Sequence, residues 1–239
     1  YEKCKYFLQR VSKYSSLPLE DINNHFLFSN MISDGGTWNM IQNLVEKYGV
    51  VPYNDMKESF HTINTNQMNT ILFQLLQHSS TKLRKNSNHN QIINKTMKKI
   101  YSLLIKCIGT PPKKVSLDSN KYKSCSPTEL FQKYVLPLSG NSLNKVVLLN
   151  APHLKINQYY KLSELNNINN DNGVLYFNTT IDVMKKSIIN ELKLKNPVWF
   201  GSDYGPFLNK KESFLDNKMY SYDSFPLKKK ELILKKENA

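Results

Sequence analysis

The sequence predicts an α+β fold in which a helical block comes first and a strand-containing region follows. Before Pro137, apolar residues recur three or four positions apart in several segments, which is the spacing of one helix face. After Pro137, the runs "KVVLLNAP" and "GVLYFN" are short, β-like and bounded by turn residues. Helices followed by a mixture that contains strands indicate the α+β class.

The helical block begins with residues 2–15, whose apolar positions suit a helix. A second helix follows the stretch "SDGGT" (33–37). Its apolar stripe, which we predict to be core, consists of Trp38, Ile41, Leu44, Val45 and Tyr48. Gly49 supplies a left-handed residue at the end of this helix, and Pro52 prevents its continuation.

Two longer helices and a fifth helix complete the block. Apolar stripes over 68–76 and 93–107 predict the longer helices, and the polar residues 79–91 predict a loop between them. The fifth helix opens at "SPTELFQKYV", where Ser126 is the predicted N-cap and Glu129 completes a capping box.

The strand-containing region includes one more helix and ends in an arm. Thr180 is the predicted N-cap of a helix whose apolar face runs from Ile181 to Leu192. The stretch "PVWFG" (197–201) predicts another short strand that ends at a glycine. The remainder, 204–239, is polar with clustered lysines and predicts an extended arm.

The charge of the chain is strongly basic, with 33 Lys and Arg against 19 Asp and Glu and a net charge of +14. The only arginines are Arg10 and Arg84, and the lysines are spread along the chain beside abundant Asn. Readers of guanine and phosphate usually use Arg, so coding bias is the favoured explanation of the charge. No apolar run approaches the roughly 18 residues that span a bilayer, so no membrane partner is predicted.

No motif for catalysis or metal binding is present. The five histidines show no metal-ligand spacing, and the three cysteines form no zinc pattern and no disulfide framework, so we expect a reducing compartment. Cys125 lies just before a predicted helix start, but it lacks the glycine-rich approach and the following aromatic residue of thiol proteases. The sequence also lacks a GxSxG elbow and a phosphate-binding glycine loop. We therefore predict no catalytic residue, metal site or cofactor in this chain.

Two stretches of the sequence resemble one branch of the papain-like cysteine peptidases, the bleomycin hydrolase and aminopeptidase C family. "DGGTW" (34–38) with "EKYGVVP" (46–52) matches the family's double-glycine loop and the helix that follows it. "NPVWFGSD" (196–203) is similar to the family's Pro-Val-Trp-Phe-Gly strand. Weaker matches occur in the family's order at "YEKCKYFLQ", "GTPPKK", "SPTELFQKYVLPL" and "LDNKMYSYD".

The resemblance implies a thiol-dependent aminopeptidase that removes amino acids from peptide N-termini. It implies a papain-like core, incomplete in this chain, with a helical insertion and an arm, and a cytoplasmic homohexamer whose active sites face an inner cavity. It also implies that the catalytic Cys and its Gln lie upstream of the segment matching Tyr1, and that the His and Asn lie downstream of the segment matching Ala239. No residue of this chain is therefore expected to act in catalysis.

The same resemblance divides the chain into four parts. Residues 1–55 are expected to form part of the helical lobe, and 56–140 the helical insertion. Residues 141–205 are expected to form part of the strand-containing lobe, and 206–239 an extended arm or linker.

The resemblance also assigns substrate-binding positions. Gly35 and Gly36 match the family's peptide-binding glycines, where a side chain would block the backbone pairing of an extended peptide. Gly201, with Ser202 beside it, matches the segment that forms one wall of the pocket for the second substrate residue. We expect Gly36 and Gly201 to line opposite walls of one groove.

Two other functions stay open at the level of the sequence. A basic nucleic-acid-binding module is one alternative, since the charge and the many tyrosines suit phosphate and base contacts. A catalytically dead homologue is the other, because the residues that would decide it lie outside this sequence.

Overall fold

Two units make up the molecule, one of Tyr1–Lys145 with Leu162–Val174 and one of Val146–Lys161 with Leu175–Ala239. The computed structural model describes residues 1–32, 35–115, 124–139, 147–162, 174–202 and 204–216. The helices are α1 (Glu2–Lys13), α2 (Ile22–Ser29), α3 (Trp38–Tyr48), α4 (Phe60–Ile63), α5 (Asn66–Lys85), α6 (His89–Ile108), α7 (Pro127–Leu130) and α8 (Ile181–Lys193). The strands are β1 (Val147–Leu149), β2 (Gln158–Leu162), β3 (Val174–Asn178), β4 (Leu208–Asn209) and β5 (Phe214–Leu215). The predicted α+β class is confirmed, whereas the four-part division stays a prediction.

The core of the first unit lies where α1, α5 and α6 pack together. Each of these helices is amphipathic and turns its apolar face inward. The least exposed of these side chains, at 0 or 1% of their surface, are Leu8, Val11, Leu76, Leu83 and Ile100. Burying side chains of this size stabilises the fold by about 1.5–3 kcal/mol each, so this cluster dominates the stability of the unit.

The loop predicted at residues 79–91 is wrong, because α5 continues to Lys85 and α6 begins at His89. Two of the polar residues that suggested a loop, Ser79 and Ser80, are small and lie buried within the helix pair. The hydroxyl groups of Ser79 and Thr96 are 2.8 Å apart across the interface, and Ser80 Oγ donates to Leu76 O at 2.8 Å. Hydroxyl groups that find partners in this way can be buried without leaving unpaired polar atoms.

Helix α3 has the predicted bounds, but its stripe is not core. Leu44 and Tyr48 are exposed, the other members of the stripe are half-buried, and the only fully buried side chain of this helix is Met40. The spacing of the stripe therefore identified the helix correctly and its buried face incorrectly.

The end of α3 is fixed by Gly49, which has φ of 76° as the sequence predicted. This glycine also makes a close backbone contact, because a Cβ atom built on it would lie 2.0 Å from Pro127 O. Next to it, Val50 N donates to the same carbonyl at 3.1 Å. Pro127 opens α7, where Ser126 and Glu129 form the predicted capping box. Two distant motifs of the sequence thus meet at one carbonyl group.

The helix predicted after Ser126 is shorter and less regular than expected. Helix α7 ends at Leu130, and a π-helical turn, Phe131–Val135, continues it. Leu130 and Phe131, on either side of the change, are both buried.

A three-stranded sheet with the strand order β1-β3-β2 forms the main part of the second unit. Strand β1 is parallel to β3, with Leu148 opposite Phe177. Strand β2 was not predicted. The side chain of Asn178, at the end of β3, is fully buried and binds the turn after β1. It accepts from Ala151 N at 2.8 Å and donates to the carbonyl oxygens of Ala151, Leu154 and Lys155 at 3.0–3.2 Å.

Helix α8 begins at the predicted cap, where Thr180 Oγ1 accepts from Val183 N. The strand predicted at 197–201 is wrong, since these residues are described and have no regular secondary structure. Part of the predicted arm is instead a small antiparallel hairpin of β4 and β5. The rest of the arm, 217–239, lies outside the described residues.

Candidate functional site

The double-glycine segment lies immediately before α3 in the first unit, and both glycines are exposed. A Cβ atom on Gly36 would meet only Met40 Sδ, at 3.7 Å, which is ordinary van der Waals contact. Gly36 also lacks the positive φ found at Gly49. Neither the backbone conformation nor the described neighbours of Gly36 therefore require a glycine at this position.

The backbone of Gly36 is available for pairing. None of the described residues forms a hydrogen bond with its N–H or its C=O group. Two buried side-chain oxygens close to it in sequence, Thr37 Oγ1 and Asn39 Oδ1, also lack a partner within the described ranges. Buried polar groups in proteins are usually paired, so these two oxygens leave hydrogen-bonding capacity unused close to Gly36 in the sequence.

The first turn of α1 contacts both ends of the segment 35–48, which contains the two glycines and α3. At the near end, Lys3 Nζ donates to Gly35 O. At the far end, Glu2 Oε1 accepts from Lys47 Nζ at 2.9 Å and also accepts from the hydroxyl of Tyr48. Two adjacent residues of α1 therefore contact Gly35, which precedes α3, and the C-terminal end of α3.

The charges in this contact stabilise one another. Burial by itself raises the pKa of Glu2, but the hydrogen bonds from Tyr48 and Lys47 outweigh burial, so the pKa lies below the usual value of a glutamate. The hydrogen bond to Glu2 raises the pKa of Lys47. Burial, followed by the hydrogen bond to Glu2, raises the pKa of Tyr48. At neutral pH the three groups are therefore a carboxylate, an ammonium and a neutral phenol.

Gly201 and Ser202, the other two predicted site residues, lie in the second unit and are both exposed. A Cβ atom on Gly201 would meet none of the described residues within 4 Å. The two side chains before it are exposed as well, Trp199 by 61% and Phe200 by 75%. The groove shared by Gly36 and Gly201 stays a prediction.

The three cysteines, Cys4, Cys107 and Cys125, are free thiols. Cys4 is buried in the α1 face of the core, and burial raises the pKa of its thiol, which disfavours the reactive thiolate. Cys125 forms an isolated β-bridge with Val115. Within the described residues, no group of three His, Cys, Asp or Glu side chains could hold a metal ion. No helix of that part of the chain is long and apolar enough to cross a bilayer.

Comparison with known proteins identifies the family. A family model described as "Peptidase C1-like family" matches residues 1–236 of the chain. The chain belongs to the Peptidase C1-like family. The resemblance inferred from the glycine and tryptophan motifs is thereby confirmed.

The curated proteins to which this chain is similar are named as aminopeptidases and bleomycin hydrolases. Bleomycin hydrolase of Homo sapiens is 32% identical, over 93% of this chain and 52% of that protein. Aminopeptidase C of Listeria monocytogenes is 29% identical, over 92% of this chain and 52% of that protein. The chain thus spans about half the length of the curated relatives it matches.

A solved structure supports the fold. PepW of Lactobacillus rhamnosis superimposes with a TM-score of 0.76 at 30% identity, covering 85% of this chain and 49% of that one. The predicted papain-like α+β fold, incomplete in this chain, is confirmed.

Sequence reasoning missed the residues that hold the double-glycine segment. Lys3 and Glu2 lie in "YEKCKYFLQ" and Lys47 and Tyr48 lie in "EKYGVVP", two stretches that already carried the Peptidase C1-like resemblance. The signal available was an acidic residue in one motif and a Lys-Tyr pair in the other. Opposite charge alone could not show that residues 45 positions apart meet, because the chain contains many other lysines.

Proposed function

We propose that this chain supplies substrate-cleft and scaffold residues of a papain-like cysteine aminopeptidase, which removes N-terminal amino acids from peptides. The observation that carries the proposal is the exposed, unpaired backbone of Gly36, within a chain whose relatives are named as aminopeptidases and bleomycin hydrolase. An extended peptide pairs through its backbone with such an edge, and a side chain there would hinder its approach.

In this proposal the chain binds and orients the peptide, and the nucleophile acts from outside residues 1–239. A cysteine thiolate held by an imidazolium attacks the carbonyl of the first peptide bond, and backbone and Gln donors stabilise the oxyanion. The amine of the shortened peptide leaves, and water then releases the amino acid from the acyl-enzyme. Gly35, Gly36, Gly201 and Ser202 contribute contacts to the peptide and take no part in bond making.

Activity of the full-length protein that contains this chain is the direct test. We expect it to release a fluorophore from aminoacyl reporters, to lose this activity on treatment with a thiol-alkylating reagent, and to reject the same reporters when their α-amine is acetylated. Inactivity toward a panel of basic, acidic, apolar and small aminoacyl reporters would contradict the proposal.

A side chain placed at the proposed cleft tests the residues themselves. Gly36→Val should lower kcat/KM by about 100-fold, because a branched side chain displaces the peptide backbone from its pairing position. The matched control is Gly205→Val, since no described residue lies within 4 Å of a Cβ atom on Gly205 and it is not a proposed cleft residue. Equal loss of activity in the two variants would argue against a role of Gly36 in substrate binding.

The assembly and location of the full-length protein follow from the same proposal. We propose a homohexamer in the cytoplasm, where the three free thiols would stay reduced. Sedimentation of the purified protein tests the first point, with a monomer or dimer as the contrary result. Fractionation of the source cells tests the second, with recovery in a membrane or secreted fraction as the contrary result.

A second function, binding of nucleic acid, is favoured by one feature of the helical unit. Residues 59–117 contain nine Lys and Arg and no Asp or Glu. Lys82, Lys95 and Lys99 line a groove of about 280 Å³ between α5 and α6. The two arginines are engaged elsewhere: Arg10 Nε donates to Tyr6 Oη at 3.0 Å, and Arg84 Nη2 donates to Leu17 O at 2.7 Å. Nucleic acid would therefore be bound through the charge of lysines, without contacts from arginine to the bases.

Salt dependence separates such binding from peptidase function. Replacing Lys82, Lys95 and Lys99 by Gln should reduce the slope of log K against log salt by about 2–3, because each lost phosphate contact releases fewer counterions. The control replaces Lys185, Lys186 and Lys193 on α8 by Gln, which removes the same charge elsewhere. Equal slopes for the two triple variants would contradict a site on the α5–α6 pair.

A further inference from the structure

We propose that Lys3 is a positioning residue for substrate binding: its ammonium group fixes the peptide group between Gly35 and Gly36 and so directs the N–H of Gly36 toward the bound peptide. This inference rests on the proposed function, because it gives Lys3 a role in the same cleft. The observation behind it is the hydrogen bond from Lys3 Nζ to Gly35 O.

The geometry of the peptide group links this contact to Gly36. The C=O of Gly35 and the N–H of Gly36 belong to one planar group, and the described structure contains no cis peptide bond. In a trans peptide the C=O and the N–H point in opposite directions. When Lys3 holds the carbonyl of Gly35, the N–H of Gly36 therefore points away from Lys3. That N–H is bonded to none of the described residues, so it can donate to a ligand.

Two adjacent glycines need such a restraint more than other residues would. Glycine has the widest backbone freedom, and fixing one residue costs about 1–2 kcal/mol. Without a restraint, an extended peptide would have to order both glycines as it binds, and its affinity would fall accordingly. A single bond to the carbonyl between them orders the group before the substrate arrives.

The helical turn that carries Lys3 is itself fixed in position. Glu2, the preceding residue, is only 7% exposed and is bound by Lys47 and Tyr48 at the far end of α3. This second contact fixes the first turn of α1 against the helix that the glycines precede. The turn of α1 from which Lys3 contacts Gly35 is therefore anchored to α3.

Relaxation measurements on the full-length protein test the positioning without any need for catalysis. The variant is Lys3→Met, which keeps much of the aliphatic stem and removes the donor. We expect the backbone order parameter of Gly36 to fall from about 0.85 to below about 0.6. Lys5→Met, which removes the same charge two residues along α1, should leave it unchanged. An order parameter that is the same in Lys3→Met and in the unaltered chain would overturn the proposal.

Kinetics of the full-length protein test the consequence for substrate. Lys3→Met should raise KM about 5- to 10-fold and change kcat by less than about twofold. A rise of this size in KM corresponds to weakening one hydrogen bond between Gly36 and the peptide. Lys3→Arg keeps a cationic donor and should restore KM to within about twofold, whereas a merely structural defect would not show this split or this rescue.

Two results would count against Lys3 in different ways. An active full-length protein whose KM is unchanged in Lys3→Met would overturn the role of Lys3 alone. An unaltered full-length protein that lacks aminopeptidase activity would overturn the proposed function and the substrate role of Lys3 together.

Discussion

The helical unit and the strand-containing unit are stabilised in different ways. In the first, α1, α5 and α6 enclose a cluster of fully buried apolar side chains. In the second, α8 has no buried residue, and a prominent interior side chain is the amide of Asn178, which makes four hydrogen bonds to one turn. A clear apolar periodicity therefore does not by itself produce a buried helix face. Helices α5 and α8 are both amphipathic, but of these two only α5 has buried residues.

The largest expected effect tests the close backbone contact between Gly49 and Pro127 in the helical unit. Gly49→Ala should destabilise the chain by about 4 kcal/mol, since it adds backbone strain of about 1–3 kcal/mol and pushes Pro127 O away from Val50 N. Gly109→Ala is the control, because Gly109 also has a positive φ, 89°, but a Cβ atom on it would meet no described residue within 4 Å. Urea unfolding measures both variants, and equal losses would mean that the contact with Pro127 does not matter.

The next effect compares the same substitution in the two units. Leu76→Ala should cost about 3 kcal/mol, because it leaves a cavity among α1, α5 and α6. Leu192→Ala on α8 should cost less than about 0.5 kcal/mol, because Leu192 is 58% exposed. If both variants lose the same stability in urea unfolding, the contrast between the two units is wrong.

Removal of a buried polar side chain should destabilise the strand-containing unit. Asn178→Ala should destabilise the sheet region by about 2 kcal/mol, since it leaves Ala151 N and several carbonyl groups without their partner. Asn196→Ala, which removes an exposed amide of the same unit, should cost less than about 0.5 kcal/mol. Hydrogen exchange can follow the amide of Ala151, which should exchange faster only in Asn178→Ala.

The smallest effect depends on pH and concerns the contact between α1 and α3. The pKa of Glu2 is lower in the folded chain than in the unfolded chain, so the unfolded state binds more protons as the pH falls. Its contribution is therefore fully present above about pH 4.5 and is lost as the pH falls through the folded pKa. Glu2→Gln should cost about 1 kcal/mol at pH 6 and progressively less at lower pH.

The control for this prediction is Glu46→Gln, which removes an exposed carboxylate from α3 and leaves the contact with α1 intact. Urea unfolding at several pH values between 3 and 6 measures both variants. A cost of Glu2→Gln that stays constant over this range would show that its charge does not contribute.

Local signals in the sequence predicted much of the fold. The glycine after Tyr48, the capping box of Ser126 and Glu129, and the cap at Thr180 each act within a few residues, and the structure confirms all of them. The polar stretch 79–91 misled because hydroxyl groups can bond to the preceding helical turn and then be buried. Polarity alone does not distinguish a loop from a polar helix interface.

The candidate site was less accessible to sequence reasoning. The glycines were found because they belong to a compact motif, but the support from α1 joins residues 32 and 45 positions apart. Lys3 and Glu2 are ordinary charged residues whose partners only the fold selects. Strand prediction failed at 197–201 for a related reason, since a β-like composition forms a strand only where a neighbouring strand pairs with it.

The meeting of Val50 with Pro127 has a consequence for how the molecule assembles. Helices α5 and α6 are joined by three residues and can form a hairpin early, because little chain must be brought together. Bringing residue 50 to residue 127 closes a segment of roughly 80 residues, which costs about 4 kcal/mol of chain entropy beyond a constant. Forming the intervening hairpin first shortens the flexible path that must be closed. We therefore expect α5 and α6 to be ordered in the folding transition state, and the glycine at position 49 to dock afterwards.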